Sequence, residues 1–279
     1  MSIVIRTNAT AMKALRSLNK TTRGLNDNVA RLSSGKRINS AKDDAAGLAI
    51  SETMGAQVAS LGQASRNAAD AISVLQTAEG AMGEVAGTLV RMREIGMQAA
   101  SGHITDNQRD FVETEFQIMR AEIDRIAAVT EFNGQTLLDG SLAAGGGQAM
   151  EFQVGINNTD NDRIGVNIGA MTAAGLGLDA ANFKTQTDAG NSLVIVDSAI
   201  EMVSRERANL GANMNRLEIT MDNLASAEEN LVSAQSRIRD VDVGEEMGKM
   251  VSNQILAQAG ASMLAQANSS PQIALSLIG

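Results

Sequence analysis

Few side chains here could carry out chemistry, and their spacing argues against it. His103 is the one histidine and cysteine is absent. Together those facts exclude a two-histidine metal site, a thiolate nucleophile, a cysteine-based metal site and a disulfide. His103 falls in Ser101-Gly102-His103, a loop expected between helices, where its ring is solvated. The acidic pairs Asp43-Asp44 and Glu245-Glu246 are explained by helix starts and solvated faces, since carboxylates suit the first turn of a helix. Gly145-Gly146-Gly147 is a flexible loop, because no Lys-Ser/Thr follows to make it a phosphate cradle. Asn157-Asn158-Thr159 fits a glycosylation sequon, and a polar hairpin turn accounts for it. No catalytic residue, metal ligand or cofactor is assigned, and the chain reads as a non-enzyme.

Such a chain must act through shape. Hydrophobic residues make up 44% of its 279 positions, yet Trp and Tyr are absent and there are only five Phe. The core is therefore Leu, Ile, Val, Met and Ala, which interdigitate between long helices. Pro271, the only proline, lies near the C-terminus and leaves the rest free of the strongest helix breaker. The net charge of −9 is uneven, for residues 1–40 carry eight basic side chains and one acidic, Asp27. This arm has no aromatic residue for base stacking or interfacial anchoring, so acidic helices suit it better than nucleic acid or anionic membrane. No apolar run reaches membrane-spanning length, so no membrane insertion is expected. Residues 1–30 also lack the apolar core of a signal peptide, so export without a cleaved leader is expected.

The dominant pattern is a 3–4 alternation of apolar positions, which gives a helix one narrow seam. Near the N-terminus it reads Ala11, Leu15, Leu18, Thr22, Leu25, Val29, Leu32. A second run passes through Met54, Val58, Leu61, Ala68, Ile72, Leu75, Met82, Ala86 and Leu89, interrupted by Ser65 and Glu79. A helix over about 106–129 is expected to turn Phe111, Phe116, Met119, Ile123 and Ile126 inwards. Later, Ile200, Val203, Leu210, Met214, Leu217, Met221, Leu224, Leu231 and Ile238 keep one heptad register, broken by Arg207, Glu228 and Gln235. Beyond an acidic break at Asp240-Val241-Asp242 the pattern resumes with Met247, Met250, Ala257, Ala261 and Leu264. A helix over 46–100 would span about 80 Å, too long to wrap a compact globule.

Between the helical halves the period changes to two. Phe152, Val154 and Ile156 alternate with Gln153 and Gly155, a polar turn follows, and Ile164, Val166 and Ile168 alternate again, a β-hairpin signal. Residues 169–190, rich in Ala, Gly and Thr, read as an exposed connector. The fold class is mainly α: long antiparallel helices from both chain halves form coiled-coil-like bundles, with a small β-hairpin region in the middle. Folding the second half back along the first brings both chain ends together.

Residues 32–51, Leu-Ser-Ser-Gly-Lys-Arg-Ile-Asn-Ser-Ala-Lys-Asp-Asp-Ala-Ala-Gly-Leu-Ala-Ile-Ser, read physically as a helix stop at Gly35, a polar turn and a new helix. The string also closely resembles the N-terminal signature of bacterial flagellins. Glu131-Phe132-Asn133-Gly134 with Leu137-Leu138, the stretch Arg207 to Leu217, and Ser236-Arg237-Ile238-Arg239-Asp240 resemble the same family. So does Met263-Leu264-Ala265-Gln266-Ala267-Asn268 with Pro271-Gln272. The resemblance covers roughly 1–140 and 190–279 in the right order.

It implies a structural subunit that polymerises into the helical filament used for swimming, outside the cell. An inner terminal-helix domain would comprise 1–44 plus 236–279, and a rod domain 45–235 with a β-hairpin near 150–168. Only about 50 residues lie between the matching halves, so no large outer domain is expected. The terminal-helix residues expected in assembly are Leu15, Leu18, Leu25, Val29, Leu32, Met247, Met250, Ala257, Ala261 and Leu264; the rod seam is Leu61, Ile72, Leu75, Leu210, Leu217, Leu224 and Leu231. The implied partners are further copies of the chain, an export chaperone, the flagellar type III export apparatus, and hook-associated and cap proteins. The resemblance also implies an animal innate immune receptor reading Arg91, Ile95 and Glu115, although Val90 stands where a glutamine commonly precedes the basic residue. The zinc-binding His-Glu motif of protease-bearing members is missing.

Short isolated helices are marginal in water, so both ends are expected to order when subunits stack. The rivals are a minor flagellin, a hook–filament junction protein and, from another class, an amphipathic membrane binder using residues 4–32.

Overall fold

The computed structural model describes residues 8–143 and 149–276, with side chains given as far as Ser269. The Gly145-Gly146-Gly147 loop lies outside the described residues. Five helices carry the fold: α1 (Ala9–Ser34), α2 (Ala45–Ala99), α3 (Asp106–Val129), α4 (Gln186–Arg239) and α5 (Val243–Ser276). Two small antiparallel hairpins sit between α3 and α4, formed by β1 (Glu131–Phe132) with β2 (Gln135–Thr136) and β3 (Met150–Gln153) with β4 (Arg163–Val166). The fold is thus the mainly helical one expected. Two compact units arise from it, residues 57–229 and residues 1–56 with 230–279, and the divisions fall inside α2 and α4.

In the 57–229 unit the core is a long seam. From α2 it takes Leu61, Ala64, Ala68, Ala71, Leu75, Ala78, Met82, Val85, Leu89 and Met92. From α4 come Val203, Leu210, Leu217 and Leu224, and from α3 Phe116 and Ile123. Ion pairs show that α2 and α4 run antiparallel: Arg93 Nε lies 2.6 Å from Asp197, and Arg207 Nη2 lies 2.5 Å from Glu79. Glu79 and Arg207 each interrupt an apolar pattern in the sequence, and here one interruption neutralises the other at the rim of the seam. The α2 seam steps three residues from the heptad anchors Leu61, Ala68 and Leu75, to Ala64, Ala71 and Ala78, where the sequence pattern predicts a step of four to Ser65, Ile72 and Glu79. Small alanines let the helices approach, and Ile72 packs half-buried on the flank.

Two further expectations are corrected. Phe111 is 77% exposed, while Arg109 is buried in its place. Arg109 Nε donates to the Ala99 carbonyl at 2.8 Å and Nη2 to that of Ser101 at 3.0 Å, satisfying acceptors left open by the end of α2. The segment 169–185 is packed, not exposed: Met171, Leu176, Leu178 and Phe183 are buried, and Phe183 meets the Phe116 ring edge-on at 4.7 Å. Its backbone N–H groups find carboxylates on distant helices, Ala173 to Asp124 at 2.8 Å and Phe183 to Glu113 at 2.8 Å. The β3–β4 hairpin pairs Phe152 with Ile164 as its alternation requires. The β1–β2 hairpin turns at Asn133 and Gly134, with φ of 52° and 78°, the positive values that a two-residue hairpin turn demands.

In the unit formed by the chain ends, Gly35 closes α1 with φ of 70°. Asp44 Oδ1 then accepts from the Gly47 N–H at 2.9 Å at the start of α2. The two breaks in the helical pattern lie side by side. Lys36 bridges Asp240, the Arg37 N–H donates to the Arg239 carbonyl at 2.6 Å, and the Val241 N–H donates to Gly35 at 3.1 Å.

Candidate assembly surface

The terminal helices α1 and α5 pack against each other in antiparallel fashion. At one end the Asn8 side chain donates to the Ala267 carbonyl at 2.7 Å, and at the other Asn28 meets Glu246. The α1 face turned to α5 reads Ala11, Ala14, Leu18, Thr21, Leu25, Asn28 and Leu32; the α5 face reads Glu246, Met250, Asn253, Ala257, Gly260, Leu264 and Ala267. Both sets alternate by three and four. The seam is thin. Apart from Asn28 and Glu246, its members are half-buried, so each helix leaves much apolar surface in solvent.

The expected assembly residues therefore divide. Leu18, Leu25, Leu32, Met250, Ala257 and Leu264 lie half-buried in the seam, whereas Leu15, Val29, Met247 and Ala261 are exposed on other faces. The rod-seam residues Leu61, Leu75, Leu210, Leu217 and Leu224 are buried, and Ile72 and Leu231 are half-buried. The sequence reading missed a row on α5, in which Val243, Met247, Val251, Ile255 and Met263 follow at multiples of four, all exposed. That is an i±4 ridge, a shape that fits the groove of another helix. Hydrophobicity at a spacing of four is the signal that marks it, and a heptad pattern passes over that spacing.

One level of the α1–α5 seam is polar. Asn28 Nδ2 donates to Glu246 Oε1 at 2.5 Å and Asn253 Nδ2 donates to Asn28 Oδ1 at 2.8 Å. Arg31 approaches the Glu246 carboxylate at 3.5 Å and Lys249 at 3.6 Å. Burial alone pushes the Glu246 carboxyl up, but the Asn28 hydrogen bond and the charges of Arg31 and Lys249 outweigh it and hold the group below its ordinary value. In the adjoining turn, Asp43 is held below the usual carboxylate range by the Ser40 hydroxyl, against a smaller upward push from burial.

The remaining candidates do not converge on chemistry. His103 is exposed and its Nδ1 lies 2.5 Å from the Ser101 hydroxyl. Among the described residues, no three His, Asp or Glu side chains are grouped as a metal cage, and no helix is long and apolar enough to cross a membrane. Arg91 is exposed and bound to Glu115 at 3.0 Å and to Glu94 at 3.0 Å. Ile95 is only 2% exposed, so it does not share their surface.

Long antiparallel helices, a thin terminal seam and an unpaired apolar ridge define a structural protein that meets other polypeptides along its helices. Residues 5–143 match the family described as bacterial flagellin N-terminal helical region, and residues 193–278 match the bacterial flagellin C-terminal helical region. The chain belongs to the bacterial flagellins, as a structural subunit of the flagellar filament. It is 42% identical over 287 residues to the flagellar filament 33 kDa core protein of Treponema phagedenis, covering 99% of this chain and 100% of that one. With the flagellin of Bacillus subtilis it shares 42% identity over 300 residues, covering 97% and 98%. A putative flagellar hook-associated protein from Vibrio parahaemolyticus aligns with a TM-score of 0.59 and 19% identity, over 71% of this chain and 100% of that chain, a likeness of fold.

Proposed function

We propose that this chain is a main-filament subunit whose terminal helices complete their packing only in the polymer. The carrying observation is the exposed ridge on α5 beside a seam that leaves most of its members half-buried. Residues 1–44 with 236–279 then form the inner, polymer-closing domain, and 45–235 form the rod that holds its own core in the monomer. Ordering a helix costs conformational entropy that a half-open seam offsets poorly, and neighbouring copies supply the missing apolar surface. The short stretch between the matching halves favours the main filament over a junction role. No enzymatic step is assigned.

Family membership supports function outside the cell, delivery by the type III export apparatus with a chaperone, and contact with hook-associated and cap proteins. If an animal receptor reads the rod, Arg91 and Glu115 are the exposed residues it meets, and Arg91→Ala should abolish signalling in a reporter cell line; unchanged signalling would sink that assignment. The main test is seeded assembly imaged by negative-stain electron microscopy. Long filaments from full-length protein, and none after trimming 1–40 or 240–279, are expected. Filaments from the trimmed chains would overturn the reading.

A further inference from the structure

The α1–α5 seam contains an ambiguity that its apolar residues do not resolve. Leu18, Leu25 and Leu32 recur every seven residues on α1, as do Met250, Ala257 and Leu264 on α5. Sliding one helix by a heptad, about 10 Å along the axis, re-forms a similar apolar contact. The polar level is different, because it occurs once.

We propose that the Asn28–Glu246–Asn253 layer sets the register of α1 against α5, so that the seam closes in one alignment. This deepens the assembly reading above and rests on it. In the observed alignment every member has a partner: Asn28 gives an amide hydrogen to Glu246 and takes one from Asn253. A heptad slip in either direction takes Asn28 and Arg31 away from Glu246 and leaves a carboxylate that is 3% exposed with Lys249 of its own helix as its one remaining neighbour from the layer. A buried charge that loses its hydrogen-bond donor and half of its neutralising charge is a costly defect in a seam. Gly24 shows that the layer is fitted, since a Cβ there would come within 3.1 Å of the Asn253 amide nitrogen. A buried polar group seldom stabilises a helix pair more than an apolar one of similar size, and its best-attested use is to specify register.

The flanking charges reinforce the same alignment. Arg31 reaches both Glu246 and, at 3.8 Å, Asp43, while Lys249 is shared between Glu246 and Glu245 at 2.7 Å. These groups lie at the exposed edge of the layer. They favour the correct register, as do the Arg37–Arg239 and Gly35–Val241 backbone hydrogen bonds at the junction, and within the seam itself the slipped alignment is rejected by the buried trio.

The test reads register directly. The chain has no cysteine, so spin labels at Lys13→Cys and Gln254→Cys, both exposed positions offset along the helix axes, report one α1–α5 distance. Labelled chains are diluted into unlabelled ones, assembled on seeds and measured by pulsed electron resonance. The parent sequence is expected to give a single narrow distance. The N28L/E246L/N253L variant should be no less heat-stable yet show a second population displaced by up to about 10 Å, one heptad. A single unchanged distance in that variant would overturn the proposal. Should it not polymerise, the exchange Asn28→Glu with Glu246→Asn keeps a carboxylate and an amide in the layer. One distance then upholds the proposal and two refute it. If the unsubstituted chain forms no filament, the polymerisation reading alone fails, and the same comparison is read on the chain in solution.

Discussion

Replacing Ile255 by serine separates the polymer's demands from those of the chain itself. Ile255 is 61% exposed on the α5 ridge and lies outside the α1 seam. Serine has nearly the helix propensity of isoleucine, so the isolated chain should barely register the change. A fully buried isoleucine contributes about 1.5–3 kcal/mol; the exposed fraction leaves about 1–2 kcal/mol of that to be gained on assembly. The concentration of subunit left unassembled at equilibrium should therefore rise roughly 5- to 25-fold, since each 1.4 kcal/mol is about tenfold. Sedimenting filaments over a concentration series measures it, with the thermal midpoint of the unassembled chain as the control. An unchanged end-point concentration would refute the idea that the ridge is an inter-subunit surface. A lowered midpoint would show that Ile255 already serves the chain's own fold.

Other substitutions probe the remaining links. Leu217→Ala, at a fully buried rod-seam position, should cost about 2–5 kcal/mol and lower the thermal midpoint by roughly 5–15 °C, read by calorimetry. Arg109→Met should remove the side-chain donor from the Ala99 carbonyl and leave Ser101 with the weaker Ile104 N–H bond at 3.4 Å; faster amide exchange across 99–105 is expected, with about 1–3 kcal/mol lost. Glu246 is held below its ordinary value of about 4.5, so its ionised form adds stability at higher pH that disappears as pH falls through the folded value. The gap in helix content between parent and Glu246→Gln filaments, by circular dichroism, should be full at pH 7 and shrink as pH falls below the ordinary carboxylate value and through the lower folded one. A gap independent of pH would contradict the charge argument.

How far these features could be read in advance depended on what local pattern encodes. On α4 the heptad register is carried by Val203, Leu210, Leu217 and Leu224, all large, and the structure buries those four. On α1 and α2 the anchors are equally clear, but the choice between stepping three or four residues from each is not. A hydropathy reading prefers Leu15 and Val29 to Ala14 and Asn28, because bulk scores higher than smallness. The antiparallel pair prefers the opposite, since small residues let two backbones approach. Asn133-Gly134 is a hairpin signal legible in the sequence, since both positions tolerate positive φ. Nothing local could have revealed that the connector 169–185 is covered, because its backbone partners Asp124, Glu113 and Glu206 lie on distant helices.

The misread step on α1 has a physical meaning. A helix destined for two sets of neighbours must carry two apolar faces, and periodicity alone does not say which face meets its own chain. Here the small, polar-notched face meets α5, and bulky Met12, Leu15 and Val29 remain in solvent. On α5 the same division places Gly260, Ala257 and Asn253 inward and Val251, Ile255 and Met263 outward. Leu18, Leu25, Leu32, Met250 and Leu264 fill the rest of the inward face, yet a monomer built for its own stability would bury more of the outward side chains as well, since they contribute more when buried. Weak internal packing at the ends and strong unfilled demand on their outer faces are two aspects of one design. The subunit's core is held by the long helices of residues 57–229, while its ends leave Met12, Leu15, Val29, Val251, Ile255 and Met263 exposed, the surface that the proposed assembly would cover.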